Sequence, residues 1–244
     1  MLSARLDEWE RRTGFGGTDL RTGSPAGFAR MCCAERSTSA GAPREGPPLA
    51  REPFTPAATG LIRRTRRDLC GFAGRFRVVI VVTRTLSPED VDPLATAFAS
   101  WPKDRELFET YARRVSQGSL DMVVAEADGQ LLGYLLIEPI SSYPPFAAAG
   151  VPEIADFNVL RSQQRSGVGT ALMDEAERRV AQFSDTVGLG VGLYSGYGTA
   201  QRMYVRRGYL PDGAGVVLHC QPVPAGTRIT LNDDPLLMFT KRLR

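Results

Sequence analysis

The chain has 244 residues, of which 43% are hydrophobic and 23% charged, with a formal net charge of +3. This length fits one large domain or two small ones, and no apolar run reaches the roughly 18 residues of a membrane-spanning helix. The chain starts without the pattern of a signal peptide, so we expect a cytoplasmic protein with no membrane partner. Four cysteines without a CxxC pair and a single histidine match no common zinc pattern, so we expect no metal.

The positive charge lies in the first third of the chain. Residues 1–76 contain 13 Arg, no Lys and 8 acidic residues, a net charge of +5, whereas residues 77–244 carry −2. The segment is rich in Gly, Pro, Ser and Thr, and residues 38–60 show no hydrophobic period, so little surface can be buried. We predict a disordered basic extension over 1–76, which an early start codon could have added to the native protein. Its scattered arginines favour a solvated tail over a nucleic-acid partner.

The elements predicted from Arg77 onward alternate strands and helices. Branched residues over 77–86 predict a strand. Ser87 followed by Pro88 and two acidic residues is typical of a helix N-terminus, and this helix is predicted to reach about Ser100. The rest of this half comprises a helix over about 104–117, a hairpin over 120–140 with an Asp-Gly turn, a loop with Pro144 and Pro145, and a strand over 151–160.

The second half continues the same alternation. Apolar residues recur at helical spacing over 167–183 and predict a helix with one buried face. The remaining predicted elements are a glycine-weakened strand over 185–194, a helix over 199–207 that ends at Gly208, an extended segment from Tyr209, and a final strand over 235–243. This order indicates one mixed α/β domain over 77–244, with about seven strands and four helices.

Two glycines, Gly167 and Gly169, stand where a strand leads into a helix. A Walker loop is excluded because Thr170 and Ala171 replace its Lys and Ser or Thr, and a dinucleotide fingerprint is excluded because Leu172 replaces its third glycine. A bare helix N-terminus can still bind an anion through free N–H groups and the helix dipole, and glycines let a pyrophosphate approach closely. An ordinary tight turn is the alternative.

Two motifs together resemble the acetyl-CoA-dependent N-acetyltransferases of the GNAT superfamily. Residues 164–169 (QRSGVG) fit the family's Q/R-x-x-G-x-G pyrophosphate loop, and residues 200–209 fit its later A-x-x-x-Y-x-x-x-G-F/Y helix. The resemblance covers about residues 77–244. It implies a mixed, mostly antiparallel sheet that splays between its fourth and fifth strands, at 153–160 and 186–193.

The resemblance also implies how acetyl-CoA would bind. The pantetheine arm would lie in the splay and pair with strand backbone, and the pyrophosphate would meet N–H groups at the helix start. The residues so implied are Asn158, Val159, Leu160, Gln164, Arg165, Ser166, Gly167, Val168, Gly169 and Thr170. The chain departs from the family at Tyr197, where an Asn often contacts the cofactor and a phenol cannot reproduce the amide.

Acyl transfer to an amine calls for a general base and a general acid. Tyr204 matches the family tyrosine that faces the thioester sulfur and is the implied acid, with an ordinary buried tyrosine as the alternative. For the base, Glu153 has the spacing to Gln164 seen in histone acetyltransferases of this superfamily, whereas Asp156 sits deeper in the strand, where an unpaired carboxylate is costly. Three residues apart, the two are expected on opposite faces. Either could be purely structural, with water serving as the base.

The acceptor site is predicted from aromatic residues in two loops. Tyr143 lies in the loop over 140–150, and Tyr194 and Tyr197 lie in the segment over 192–198. No long acidic groove for a basic peptide is evident, so we expect a small-molecule amine, with a peptide amine as a further option. A non-catalytic acyl-CoA-binding sensor is the alternative of another class. We expect a monomer or a homodimer.

Overall fold

A computed structural model describes residues 60–65 and 78–244. Its strands form one sheet in the order β1-β2-β3-β4-β5-β6-β9-β7-β8. Neighbouring strands pair antiparallel except β5 and β6, which are parallel. The strands are β1 (Gly60–Thr65), β2 (Val78–Thr85), β3 (Asp121–Ala127), β4 (Gln130–Glu138), β5 (Glu153–Val159), β6 (Thr186–Gly192), β7 (Leu210–Leu218), β8 (Gln221–Pro222) and β9 (Leu236–Arg242).

The helices in this part of the chain are α1 (Val91–Ala97), α2 (Arg105–Ser116), α3 (Pro144–Ala149), α4 (Val168–Val180) and α5 (Gly198–Arg206). Four of them were predicted. The fifth, α3, replaces the predicted loop at Pro144 and Pro145, because proline is well suited to the first turn of a helix. Gly150 ends α3 with a φ of 65°, in the left-handed region that favours glycine.

The sheet is the middle of three layers, with a hydrophobic core on each face. Along β3, Val123 and Ala125 belong to the core under α4, whereas Met122 and Val124 belong to the core under α1 and α2. This alternation follows from the period of two in a β-strand. A strand that is buried on both faces reads as a continuous apolar run, which is why this hairpin was recognisable in the sequence.

The predicted fold class is confirmed: the sheet is mixed and mostly antiparallel, and the strands at 153–159 and 186–192 separate after a short paired stretch. All seven predicted strands are present, and β1 and the two-residue β8 add to them. Strand β1 falls within the predicted extension over 1–76 and pairs along its length with β2. The remainder of that prediction lies outside the described residues.

A buried arginine fastens α4 to the sheet. Arg179 is 1% exposed, and its guanidinium donates to Asp121 on β3 at 2.8 Å, to Thr85 Oγ1 on β2 at 2.7 Å and to Glu175 at 2.7 Å. Burial raises the pKa of Asp121 despite the nearby guanidinium. The partially exposed Arg178 also donates to Glu175, at 2.7 and 2.8 Å. These contacts fix the helix whose first residues form the glycine loop.

We expect Arg179→Met to lower the free energy of unfolding by about 3–5 kcal/mol, because it leaves the buried Asp121 carboxylate without its cation. Arg178→Met is the matched control on the same helix and should cost about 1 kcal/mol or less, since its side chain is 44% exposed. Urea unfolding followed by circular dichroism measures both. Equal losses for the two variants would contradict a structural role specific to Arg179.

Candidate active site

The gap between β5 and β6 is the central feature of the candidate site. The two strands stay in register only from Glu153 to Ile154, opposite Gly188 and Leu189. Strand β5 continues to Val159, but beyond Ile154 its backbone is no longer paired with β6. Main-chain N–H and C=O groups along such an edge can pair with an extended ligand. The implied pantetheine contacts lie here: Asn158, Val159 and Leu160.

A β-bulge bends β5 where it leaves β6. Against β4, Ala155 pairs with Leu136 and Asn158 pairs with Tyr134, so two residues of β5 oppose one residue of β4. The first of the two is Asp156, whose φ of 41° lies in the left-handed region. That conformation costs a non-glycine residue about 1–2 kcal/mol, although aspartate adopts it more often than most. The bulge gives the strand extra twist and thereby helps to separate it from β6.

The side chain of Asp156 is fully hydrogen bonded. Lys103 Nζ and Asn158 Nδ2 donate to Oδ1 at 2.5 and 2.8 Å, and the hydroxyls of Tyr111 and Tyr134 donate to Oδ2 at 2.9 and 3.0 Å. Lys103 is itself buried, with its ammonium 5.6 Å from the centre of the Tyr134 ring. Burial alone would raise the pKa of Asp156, yet Lys103 and the hydrogen bonds hold that pKa below its usual range. A carboxylate in this state is a weak proton acceptor.

The bulge also breaks the alternation that predicted opposite faces for Glu153 and Asp156. Ala155 packs in the core under α1 and α2, and Asp156 turns towards the same layer, to which Tyr111 and Tyr134 belong. Glu153, two residues before Ala155, shares its face. The two carboxylates therefore lie on one face, and the expected opposite orientation is not found.

Glu153 is connected to the predicted acceptor loop. It is buried at the start of β5, where Ser141 Oγ donates to its Oε2 at 2.6 Å. The same Ser141 oxygen accepts the backbone N–H of Tyr143 at 3.0 Å. The Tyr143 hydroxyl donates to Asp212 at 3.1 Å, and burial raises the pKa of Tyr143 to about 12. The structure thus brings a predicted catalytic residue and a predicted acceptor residue together through one serine.

The start of α4 has the geometry of an anion site. Gly167 is the N-cap, with a φ of 95° that favours glycine. Its carbonyl accepts the first helical hydrogen bond from Ala171 at 3.0 Å, so the N–H groups of residues 168–170 have no partner within the helix. These groups and the helix dipole favour a negative ligand. A Cβ at Gly169 would lie 3.2 Å from Phe157 Cζ, so this glycine also lets the helix approach β5.

The loop before α4 folds back on itself and leaves its arginine exposed. Gln164 Nε2 donates to the Val159 carbonyl at 3.3 Å, and Ser166 Oγ donates to the Gln163 carbonyl at 2.5 Å. Arg165 has a φ of 61° and an exposed side chain. All seven implied pyrophosphate residues, 164–170, therefore lie at the end of β5 that has separated from β6.

Tyr204 lies on α5, close to the end of β6. Gln201 Nε2 donates to the Gly192 carbonyl at 2.8 Å and ties the helix to the last residue of that strand. Tyr204 is 5% exposed, packs in the core under α4, and meets the Tyr209 ring edge-on with centroids 5.8 Å apart. Tyr204 thus packs in the core, as an ordinary buried tyrosine would. It also lies at the end of the sheet where the implied general acid is needed.

Tyr194 and Tyr197 converge on a residue that was not predicted, Asp233. Both hydroxyls donate to Asp233 Oδ1 at 2.7 Å, and the rings meet edge-on at 5.1 Å. Burial and the hydrogen bond to Asp233 raise the pKa of Tyr194 to about 12 and that of Tyr197 well above its usual value. Tyr204 also raises the pKa of Tyr197, so the implied acid lies near this pair.

The glycines of β6 leave room for aromatic rings. A Cβ at Gly188 would lie 2.2 Å from a ring carbon of Phe146, and one at Gly192 would lie 2.3 Å from a ring carbon of Tyr197. Gly188 and Gly192 are four residues apart and share one face of the strand. The glycines that made this strand look weak in sequence therefore provide the surface on which the predicted acceptor walls pack.

Several supporting polar residues were missed at the sequence level: Lys103, Tyr111, Tyr134, Ser141 and Asp233. Tyr134 carried a usable signal, because a hydroxyl within the apolar strand LLGYLLIE requires a buried partner. The others are separated from their partners by 12 to 53 residues. Contacts at that sequence distance cannot be read from local patterns.

Neither a metal cluster nor a membrane-spanning helix occurs within the described ranges. Across residues 60–65 and 78–244, no group of three or more His, Cys, Asp and Glu side chains could hold a metal ion. None of the helices in these ranges has the length and hydropathy needed to cross a membrane.

Solved structures of acetyltransferases share this fold. A protein described as a GNAT-family acetyltransferase from Desulfovibrio desulfuricans matches with a TM-score of 0.52 and 19% identity, covering 67% of this chain and 99% of that chain. An N-acetyltransferase from Staphylococcus aureus Mu50 matches with a TM-score of 0.52, 12% identity and the same coverages. A ribosomal-protein-alanine N-acetyltransferase from Brucella melitensis matches with a TM-score of 0.50 and 16% identity, covering 66% and 98%. At these identities the similarity shows the fold.

The sequence itself decides the family. No curated protein matches the chain significantly. The model of the acetyltransferase (GNAT) family matches residues 89–209, about half of the chain, from the turn before α1 to the end of the α5 motif. The matched segment includes the glycine loop, the bulged strand and Tyr204. The chain therefore belongs to the GNAT acetyltransferase family.

Proposed function

We propose that the protein is an N-acetyltransferase that transfers an acetyl group from acetyl-CoA to a primary amine of a small molecule. The observation that carries this proposal is the separation of β5 from β6 after Ile154, next to the glycine start of α4. One end of the sheet thus offers both an unpaired strand edge and an anion site. A peptide amine remains a second acceptor class for the same chemistry.

The residues present fit acetyl-CoA, the acetyl donor of the family. The N–H groups of residues 168–170, which have no partner within the helix, and the exposed Arg165 would hold its pyrophosphate. The free edge of β5 from Ala155 to Val159 would hold its pantetheine arm through main-chain hydrogen bonds. When bound, acetyl-CoA supplies an acetyl group that is activated as a thioester.

The proton transfers are assigned to residues of this chain. An alkylammonium has a pKa of about 10, so the acceptor must lose a proton before it can attack. We assign Glu153, rather than Asp156, as the base that removes this proton, because four donors already occupy both oxygens of Asp156. Tyr204 would hold the proton destined for the departing thiolate at its hydroxyl. Asp156 keeps the bulge in place.

We expect Tyr204→Phe to lower kcat about 100-fold while the Kd for acetyl-CoA stays within about twofold, because a general acid acts in the transition state. Thiol release and calorimetric titration measure the two quantities. Tyr209→Phe is the matched control: it removes a hydroxyl from the ring that packs on Tyr204 and should leave kcat nearly unchanged. Binding of acetyl-CoA without turnover of any amine by the unmodified protein would instead favour a non-catalytic sensor.

We expect Gly167→Ala to raise the KM for acetyl-CoA about tenfold and the KM for the amine less than about twofold, because an alanine strains the cap at the anion site. Gly118→Ala provides the control, since its φ of 69° imposes the same backbone strain at the end of α2, in open space. Steady-state kinetics separates the constants. If both constants rise together, Gly167 serves the fold and not the donor.

We expect Glu153→Gln to lower kcat/KM for the amine about 100-fold at pH 7, and much less near pH 10, where the acceptor is already deprotonated. The pH profile of thiol release gives this comparison. Asp156→Asn is the informative counterpart: it leaves Lys103 buried without its anion, so its main effect should be on the free energy of unfolding. An equal loss at both pH values would argue against Glu153 as the base.

A further inference from the structure

Asp233 is a buried carboxylate with one oxygen satisfied and the other not. It lies just before β9 and is 3% exposed. Oδ1 accepts the hydroxyls of Tyr194 and Tyr197, both at 2.7 Å. Oδ2 is enclosed, and none of the described residues donates a hydrogen bond to it. The described residues therefore supply only half of the environment that a buried carboxylate needs.

An enclosed carboxylate oxygen without a donor is costly, and proteins retain such groups mainly at sites of function. Both neighbouring tyrosines have raised pKa values, so they stay protonated and remain donors to Oδ1. No ion pair among the described residues includes Asp233, so its charge lacks a counter-ion there. A positively charged donor would correct both deficits at once.

The position of Asp233 relates it to the proposed acceptor site. Tyr197 packs over Gly192 at the end of β6, and α5 is tied to that same residue through Gln201. Tyr197 packs against the hydrophobic core to which Tyr204 belongs. Through Tyr197 the carboxylate is thus connected to the core that contains the residue assigned as the acid, at the end of the sheet where the strands separate.

We propose that Asp233 Oδ2 binds a positively charged group of the acceptor other than the amine that reacts, so that the substrate class is a diamine or polyamine. This rests on the proposed function and adds the class of acceptor. The proton of the reacting amine is assigned to Glu153, so Asp233 is left to bind a second positive charge of the acceptor. Because Oδ2 is enclosed, the glycine-rich segment 192–198, which carries both tyrosines, would have to move for the ligand to reach it.

The test compares α,ω-diamines from three to six carbons with monoamines of equal length, using the full chain, acetyl-CoA and thiol release. We expect the unmodified protein to prefer a diamine over its monoamine at one or more lengths. Asp233→Asn should raise the KM for that diamine about 30-fold or more, the usual effect of removing one partner of a buried charge pair. The KM values for the monoamine and for acetyl-CoA should stay nearly constant.

Asp185→Asn is the matched control, because it removes the same charge from an exposed position directly before β6, at the opposite end of that strand from Gly192. It should leave the diamine preference intact. If Asp233→Asn does not fold, the unmodified protein still tests the proposal. It must prefer a diamine over a neutral amino alcohol of equal length, and it must prefer the amino alcohol over an amino acid. The absence of this order, or an unchanged preference in Asp233→Asn, overturns the cation site.

Calorimetric titration of the diamine into the protein saturated with CoA separates this proposal from the proposed function. Asp233-dependent binding without acetyl transfer to any amine would support the cation site and refute the transferase. Acetyl transfer to monoamines without any effect of a second charge would support the transferase and show that Asp233 holds only a structural solvent molecule.

Discussion

The candidate site depends on one constraint, the left-handed backbone of Asp156 at the bulge of β5. The extra residue bends β5 and adds twist, and it thereby helps to separate β5 from β6. The conformation is unfavourable by itself, so the surroundings must enforce it. Lys103, Tyr111 and Tyr134 do so by donating hydrogen bonds to the Asp156 side chain. Tyr111 lies on α2, Tyr134 lies on β4, and Lys103 lies in the segment before α2. The strained backbone and the ion pair with the buried Lys103 therefore belong to the same residue, Asp156.

Among the described residues, each face of the sheet has a buried cation that pairs with a carboxylate, and each pairing positions one element beside the gap. On one face, Lys103 holds Asp156 and therefore the path of β5. On the other, Arg179 holds Asp121 and therefore α4, whose first turn carries the glycine loop. Buried ion pairs contribute little net stability compared with apolar packing, because desolvation offsets much of the attraction. Their effect here is on position: one pairing holds the strand edge of β5, and the other holds the start of α4.

Local patterns predicted the elements, and contacts distant in sequence determined the site. The amphipathic helix at 167–183, the hairpin and the glycine loop were all visible as short periodic or turn signals. The bulge was not, because β5 reads as an ordinary strand until its register against β4 is known. For the same reason the partners of Asp156 and of Tyr197 could not be foreseen. The short helix α3 was missed because two prolines and a glycine are equally typical of a loop.

The site divides recognition into two kinds of contact. The acyl donor is expected to meet main-chain groups of β5 and of the α4 start, which any sequence compatible with the fold presents. Solved structures that share only 12–19% identity with this chain keep the same fold. The proposed acceptor would be recognised by side chains on the other border of the gap, where Phe146 and Tyr197 pack over the glycines of β6. On this proposal, specificity for the acceptor is determined on the β6 side of the gap, where Asp233 contributes a buried negative charge.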